Sequence, residues 1–381
     1  MERHSSQIHV VIVGAGPAGL AVGGCLRRHG IPFVLLERHE QVASAWRHHY
    51  ERLHLHTTKR FSSLPYLGYP ARAPRYPSRQ QVVDYLDAYA ERFDLQPRCG
   101  EEVRSVQRKE TSWEVETDSD RYTAQCVVLA TGLNDAPSLP AWPDQDRFRG
   151  PILHSAQYAI GEPFRDQRVL VIGYGNSGAE IAVDLYEHGA TVGMAVRSPI
   201  NVVFRDHYEI PIQVLAIALS PLPPRALDAI TKPVMRAVFG DLTPYGLQSA
   251  MDGVAMQLRK QAKVPVIDVG TIALIKQGKI KIFPGVERFT LDGVSFADGT
   301  IGSFDAVVLA TGYHMQLRTL LAGCEGVLDA NGVPLVSGRA TAMPGLYFCG
   351  YRNSIGGLLR QIGLEARHIA RAIAGNMDKS K

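Results

Sequence analysis

Three glycines, Gly14, Gly16 and Gly19, follow the short apolar run "HVVIV" and open into "PAGLAVGGCLRRHG". Their spacing suits one piece of chemistry, the grip on a diphosphate. The first glycine makes the tight turn after a strand, the second lets the backbone approach the phosphates, and the third lets the following helix pack closely on the sheet. Pro17 and Ala18 start that helix, whose free N–H groups face the anion. Glu37, 18 positions past Gly19 in "PFVLLER", is placed to accept from ribose hydroxyls, with Arg38 beside it. The pattern returns in "VIGYGNSG", where Gly173, Gly175 and Gly178 repeat the triplet and Gly173 lies 159 residues after Gly14. Asn176 and Ser177 sit inside this second loop, able to bond the diphosphate or hold a nicotinamide.

The two ribose ends differ. The second ends in "AVRSP", with Arg197 at 19 positions past Gly178 and Ser198 next to it. A carboxylate repels a 2′-phosphate, whereas a guanidinium grips it with charge-assisted bonds. The first loop therefore reads as a site for a dinucleotide with a free ribose and the second as a site for NADPH. Two such sites in one chain suggest a hydride passing from NADPH to FAD.

The elements that must position these loops follow the same repeat. Each loop lies in a strand–loop–helix–strand unit, and the helices end at Gly30 and Gly189. "CVVLATG" carries Ala130 and Gly132, and "FDAVVLATGY" carries the matching Ala310 and Gly312. The chain thus reads as α/β, with two Rossmann-like dinucleotide-binding domains of the three-layer ββα/αβ type, the second inserted in the first. The expected boundaries are 1–159 and 304–381 for the FAD domain and 160–303 for the NADPH domain. An apolar, proline-punctuated stretch at about 201–263 is expected to form a helical lid. A long irregular segment rich in Arg and His precedes a helix that starts at Ser78, and such a segment inside a domain is usually functional. Gly356 and Gly357 open a C-terminal helix whose N-terminus could face a flavin pyrimidine and stabilise its reduced, anionic form.

Composition narrows the function class. The 381 residues carry a net charge of only +4, with Lys and Arg scattered, which gives no case for nucleic acid. The five cysteines, Cys25, Cys99, Cys126, Cys324 and Cys349, include no Cys-x-x-Cys, so neither a redox dithiol nor a zinc site is encoded; reduced thiols of a cytoplasmic protein are expected. The start, "MERHSSQIHVVIVGAG", does not read as a secretory leader. The apolar run from Ile210, broken by prolines, is too short to span a bilayer and reads as a core or lid helix, with a membrane-surface contact left open. The expected partners are a small-molecule substrate and O2, with a homodimer left open.

Between the two units, "FRGPILHSAQY" places Phe148, Gly150, His154 and Tyr158 in the F-x-G-x-x-x-H-x-x-x-Y pattern of class B flavin-dependent monooxygenases, which it resembles. Tyr158 speaks against the Baeyer–Villiger branch, which ends the pattern in Trp. "LERHEQVASAWRHHYERLHLHTTKRFSSLPY", "GYGNSGAEIAVDL" and "VPVIDVGTIALIKQGKIKI" are similar to the YUCCA flavin monooxygenases, which convert indole-3-pyruvate to indole-3-acetate. The resemblance runs from about residue 8 to 370 and is poorest over 201–263. It implies reduction of FAD by NADPH, a flavin C4a-(hydro)peroxide, and retained NADP+ that shields it. It also implies His56 and Asn176 as catalytic residues, and Trp46 beside the flavin. His154 and Tyr158 read as structural. Oxygenation of an amine or sulfide, or electron transfer to a carrier, are the alternatives.

Overall fold

The computed structural model describes residues 7–207, 210–321, 323–324 and 326–379. In chain order the elements used below are β1 (Gln7–Val13), α1 (Pro17–Arg28), β2 (Phe33–Leu36), α2 (Arg79–Arg92), β3 (Val103–Lys109), β4 (Ser112–Thr117), β5 (Arg121–Leu129), β6 (Ile152–His154), β7 (Arg168–Ile172), α3 (Asn176–Glu187) and β8 (Thr191–Ala195). There follow α4 (Ile212–Ala218), α5 (Pro224–Phe239), α6 (Val254–Gln261), β9 (Val266–Asp268), β10 (Ile280–Phe283), β11 (Ala306–Leu309), β12 (Leu346–Phe348) and α7 (Leu358–Lys379).

The chain folds as two units, and the second is inserted in the first. The first comprises Met1–Arg47, Thr57–Ala136 and Tyr313–Lys381; the second comprises His48–His56 and Pro137–Gly312. The sequence reading puts the divisions at 159/160 and 303/304, inside what is here a single sheet. β6 lies before that expected start, yet it pairs with β11. The excursion 48–56 carries no strand or helix pattern to announce itself, but its apolar side chains Tyr50 and Leu53 pack in the second unit's core.

In the first unit a parallel set runs β2–β1–β5, with β12 on the far side of β5. β4 pairs antiparallel with the first half of β5, and β3 with β4. The strand β3 is not apparent in the sequence, because "VRSVQRK" alternates polar residues with only two valines, as an edge strand does. The core is built from Val11, Val13, Val127 and Phe348 of the parallel strands, which are covered on both faces, and from Trp113 and Val115 on the inner face of the antiparallel β4. Ser78 caps α2 in a full capping box with Gln81, as its sequence predicts. In the second unit five strands run in the order β10–β8–β7–β11–β6, all parallel. A three-stranded antiparallel sheet, Val286–Thr290, Gly293–Phe296 and Ile301–Ser303, joins it. Residues 201–263 hold α4, α5 and α6, with a short strand at Val202–Phe204 that pairs with β9. Among the described residues, no helix is long and apolar enough to cross a membrane.

Trp113 is fully buried, and its indole N–H donates to the Pro344 carbonyl at 3.0 Å. Trp113→Ala is expected to cost the first unit about 3–5 kcal/mol through the cavity it leaves. A thermal melt should show this as a lower midpoint for that unit's transition.

Candidate nucleotide sites and their braces

The two loops are built alike to the level of single hydrogen bonds. Gly14 N–H donates to Leu36 at 2.8 Å and Gly173 N–H to Ala195 at 3.0 Å. Ala130 donates to Val13 at 2.8 Å, and Ala310 to Ile172 at 2.9 Å. The helices start with Leu20 to Gly16 at 3.0 Å and Ala179 to Gly175 at 2.9 Å. Each loop thus sits in the crevice at the carboxyl ends of two neighbouring parallel strands, where the strand order reverses and α/β sheets bind ligands.

The glycines divide into two kinds. A Cβ on Gly14, whose φ is +101°, would stand 2.7 Å from the Ala130 carbonyl oxygen, and one on Gly173, at +113°, 2.4 Å from that of Ala310. Cβ atoms on Gly19 and Gly178 would lie 1.8 and 2.2 Å from the carbonyl oxygens of Gly14 and Gly173. These four positions need glycine for the fold itself. At Gly16, Gly175, Gly132 and Gly312 an added Cβ would meet nothing within 4 Å. Those four face open space, which is what a cradle for a diphosphate requires. The first turns of α1 and α3 have no side-chain cap and no acidic residue, so their N–H groups are left for an anion. Pro17 takes the first helical position, where no N–H is missed, and Ala18 is buried beneath Gly350. The residues present fit two dinucleotides.

Glu37 is buried at the end of β2. One carboxylate oxygen accepts from Ala15 N–H at 2.7 Å and the other from His39 N–H at 3.1 Å. Each oxygen keeps a further lone pair for a ribose hydroxyl. Arg38 pairs with Asp135 at 2.9 Å. Trp46 lies half-buried on the short helix Ser44–Arg47, which Ala43 N–H ties to the first loop by a 3.1 Å bond to Ala15. Gly357, with φ +95°, precedes α7, and Gly356 N–H donates to Ser354 Oγ at 3.2 Å.

In the second unit the bonding register makes Val196 the counterpart of Glu37, since Gly173 N–H reaches Ala195 as Gly14 N–H reaches Leu36. Arg197 and Ser198 are the next two residues, both exposed. Among the described residues the Arg197 guanidinium has no ion pair or hydrogen bond, so it is a free cation at this edge. Asn176 lies at the start of α3, but its amide faces β9: Oδ1 accepts from Ile267 N–H at 2.8 Å and Nδ2 donates to Pro265 at 3.2 Å. The Ser177 hydroxyl makes no hydrogen bond among the described residues. Two buried hydroxyls near this loop, Ser155 Oγ and Tyr174 Oη, likewise find no partner there.

The F-x-G-x-x-x-H-x-x-x-Y residues brace this second cradle. Phe148 packs in the core beside Phe289 and Leu309. A Cβ on Gly150 would lie 2.2 Å from the Asp305 carbonyl oxygen. His154 is buried; Nδ1 accepts from Ala156 N–H at 3.1 Å, so Nε2 carries the hydrogen and donates to the Gly312 carbonyl at 3.0 Å. Tyr158 donates to Asp184 at 2.6 Å, and Asp184 also accepts from Gly161 N–H at 2.8 Å. His56 Nε2 bonds Glu180, one helical turn before Asp184 on α3. Sequence reasoning passed over Glu180, Asp184 and the buried Glu365, which binds Ser337 Oγ at 2.7 Å and Gly350 N–H at 2.8 Å. Their signal was legible: acids within apolar helical runs, with 180 and 184 on one face of "AEIAVDL".

All five cysteines are free, and burial pushes every thiol up, Cys25 and Cys126 to about 11. Fold and cradles together define a flavoprotein oxidoreductase that uses a pyridine nucleotide. The family described as "Pyridine nucleotide-disulphide oxidoreductase" matches residues 11–215. Indole-3-pyruvate monooxygenase YUCCA1 of Oryza sativa subsp. japonica is 38% identical over 86% of this chain and 82% of its own. Probable indole-3-pyruvate monooxygenase YUCCA9 of Arabidopsis thaliana is 39% identical over 85% and 79%. The solved flavin-containing monooxygenase from Stenotrophomonas maltophilia superposes with a TM-score of 0.74 at 25% identity, covering 98% of this chain and 99% of that one. The chain belongs to the YUCCA family of flavin monooxygenases.

Two predictions follow from this geometry. Gly16→Ala should leave the thermal midpoint within a few degrees of wild type yet purify with little flavin by absorbance, because its Cβ enters the cradle and nothing else. Gly178→Ala should instead lower the midpoint. The second concerns pH. Burial holds the His154 imidazole below its ordinary value of 6.5. An unfolded chain therefore binds this proton first, and as pH falls below 6.5 the native state loses stability until the lowered folded value is reached, by at most about 1.4 kcal/mol per pH unit. His154→Gln, less stable than wild type at pH 7.5, should close part of that gap by pH 5.5 in urea unfolding.

Proposed function

We propose that this monooxygenase uses FAD in the first unit and NADPH in the second, and converts indole-3-pyruvate to indole-3-acetate. The observation that carries the cofactor assignment is the contrast between the two ribose edges. A buried carboxylate, Glu37, closes the first, and an unpaired guanidinium, Arg197, stands at the second. A 2′-phosphate is repelled by the former and held by the latter. The substrate assignment is supported by the named activity of relatives that align over most of the chain.

A bound flavin, reduced by the pyridine nucleotide, supplies the reaction with O2, and the protein supplies binding, orientation and dryness. The N–H groups of the first turns of α1 and α3 receive the two diphosphates. Glu37 receives the adenosine ribose of FAD, and Arg197, with Ser198 beside it, the phosphorylated ribose of NADPH. Trp46, Arg38, Gly356 and Gly357 line the flavin side of the first unit, and Ser177 the diphosphate of the second. Asn176 acts as a positioning residue, holding the start of α3 to β9. The overall change is indole-3-pyruvate, NADPH, O2 and one proton to indole-3-acetate, NADP+, CO2 and water. One oxygen atom enters the product, the other leaves as water, and the C1 carboxylate leaves as CO2. A proton must therefore be delivered in each turnover, and His56 is the titratable side chain assigned to it.

Wild-type protein given NADPH and indole-3-pyruvate should consume O2 and release indole-3-acetate, read by mass spectrometry. Arg197→Ala should remove most of the preference for NADPH over NADH, roughly 10-fold or more in kcat/KM. An unchanged ratio excludes the role given to Arg197, and absence of the product excludes the substrate.

A further inference from the structure

The residue assigned to proton delivery is itself held by another. His56 is the last residue of the excursion 48–56, which lies against α3. Arg52 pairs with Glu187 near the end of that helix, and Glu51 N–H donates to Ala159 at 2.9 Å. His56 Nε2 meets Glu180, whose side chain is only 4% exposed; the imidazole is 13% exposed. Glu180 lies two residues past Gly178 on the helix that begins at the second cradle, and helical side chains lean back toward the N-terminus. The pair therefore sits within one helical turn of that cradle.

The bond fixes which nitrogen can act. A carboxylate offers only lone pairs, so Nε2 carries the hydrogen. Nδ1 then holds the lone pair, and among the described residues no group bonds it. A buried acid that orients a histidine and compensates its positive charge is the arrangement by which general bases are held in one tautomer. We propose that Glu180 is the positioning residue of His56, fixing the Nε2–H tautomer so that Nδ1 is the atom that takes up and gives back the proton of each turnover. When Nδ1 gains the proton, the imidazolium lies against the Glu180 carboxylate and the pair goes from one negative charge to none. When it releases the proton, the starting tautomer is restored. This rests on the monooxygenase reading above, and the bland alternative is that the pair merely pins the excursion to α3.

Glu180→Gln separates the two, because glutamine keeps the shape but loses the charge, and its NH2 can donate to Nε2 where the carboxylate can only accept. Histidine-labelled protein, with His56 assigned by comparison with His56→Gln, should show Nε2 protonated and Nδ1 unprotonated in the 15N spectrum at neutral pH. In Glu180→Gln that pattern should be lost or mixed. The variant should reduce its flavin with NADPH at a rate within about twofold of wild type, while kcat for product falls about 100-fold and KM changes little. The double variant Glu180→Gln, His56→Gln should be no slower than the slower single one, as expected of residues that act as a unit. Full kcat in Glu180→Gln, an unaltered tautomer, or losses that multiply in the double variant would each overturn the proposal. If wild type forms no indole-3-acetate, the substrate assignment fails, and the tautomer measurement, which needs no substrate, still decides the role of Glu180.

Discussion

In both units a backbone carbonyl fills the space where a side chain of the loop's first glycine would be. Ala130 closes on Gly14 and Ala310 on Gly173, with 2.7 and 2.4 Å to a hypothetical Cβ. This contact sets how closely the loop's first turn approaches the neighbouring parallel strand. The helix can drop onto the sheet only because Gly19 and Gly178 also lack side chains. Its first N–H groups then point at the place that Gly16 or Gly175 leaves open. The paired Ala-Thr-Gly segments are thus one wall of each crevice, repeated because the contact is repeated.

The family signature acquires a physical meaning on the same basis. His154 and Thr311 hold the carbonyl side of the second crevice, by bonds of 3.0 Å to Gly312 and 2.6 Å to Ser138. Tyr158 and His56 hold the helix side, through Asp184 and Glu180. Two buried acids on α3 thus meet two partners from outside the β–α–β unit. Removing either partner leaves a buried carboxylate one hydrogen bond short, which costs more than the bond itself contributes.

The fold was legible because its strongest signals are local. Short apolar runs, glycine triplets and helix caps each reflect a backbone requirement, and Gly30, Gly189 and Ser78 end or start their helices as read. The nesting of one unit in the other was legible from the order of the repeats. What escaped was non-local. β6 and the excursion 48–56 join the second sheet and helix through partners more than 100 residues away, such as Glu180 for His56. The ribose edge shows the same limit: counting from the third glycine set Arg197 against Glu37, while the hydrogen-bond register sets Val196 there and Arg197 one place on. Glu180 and Asp184 were visible as letters, but only the fold gives them partners.

We propose that one chain holds a flavin and a reduced pyridine nucleotide in two separate cradles so that the second reduces the first. The most direct test is an anaerobic titration of the purified wild-type protein with NADPH, followed at the flavin's visible absorption band. The protein should be yellow, bleach stoichiometrically and regain its colour when air is admitted. A colourless protein that takes up no added flavin, or a bound flavin that NADPH leaves oxidised, would contradict it.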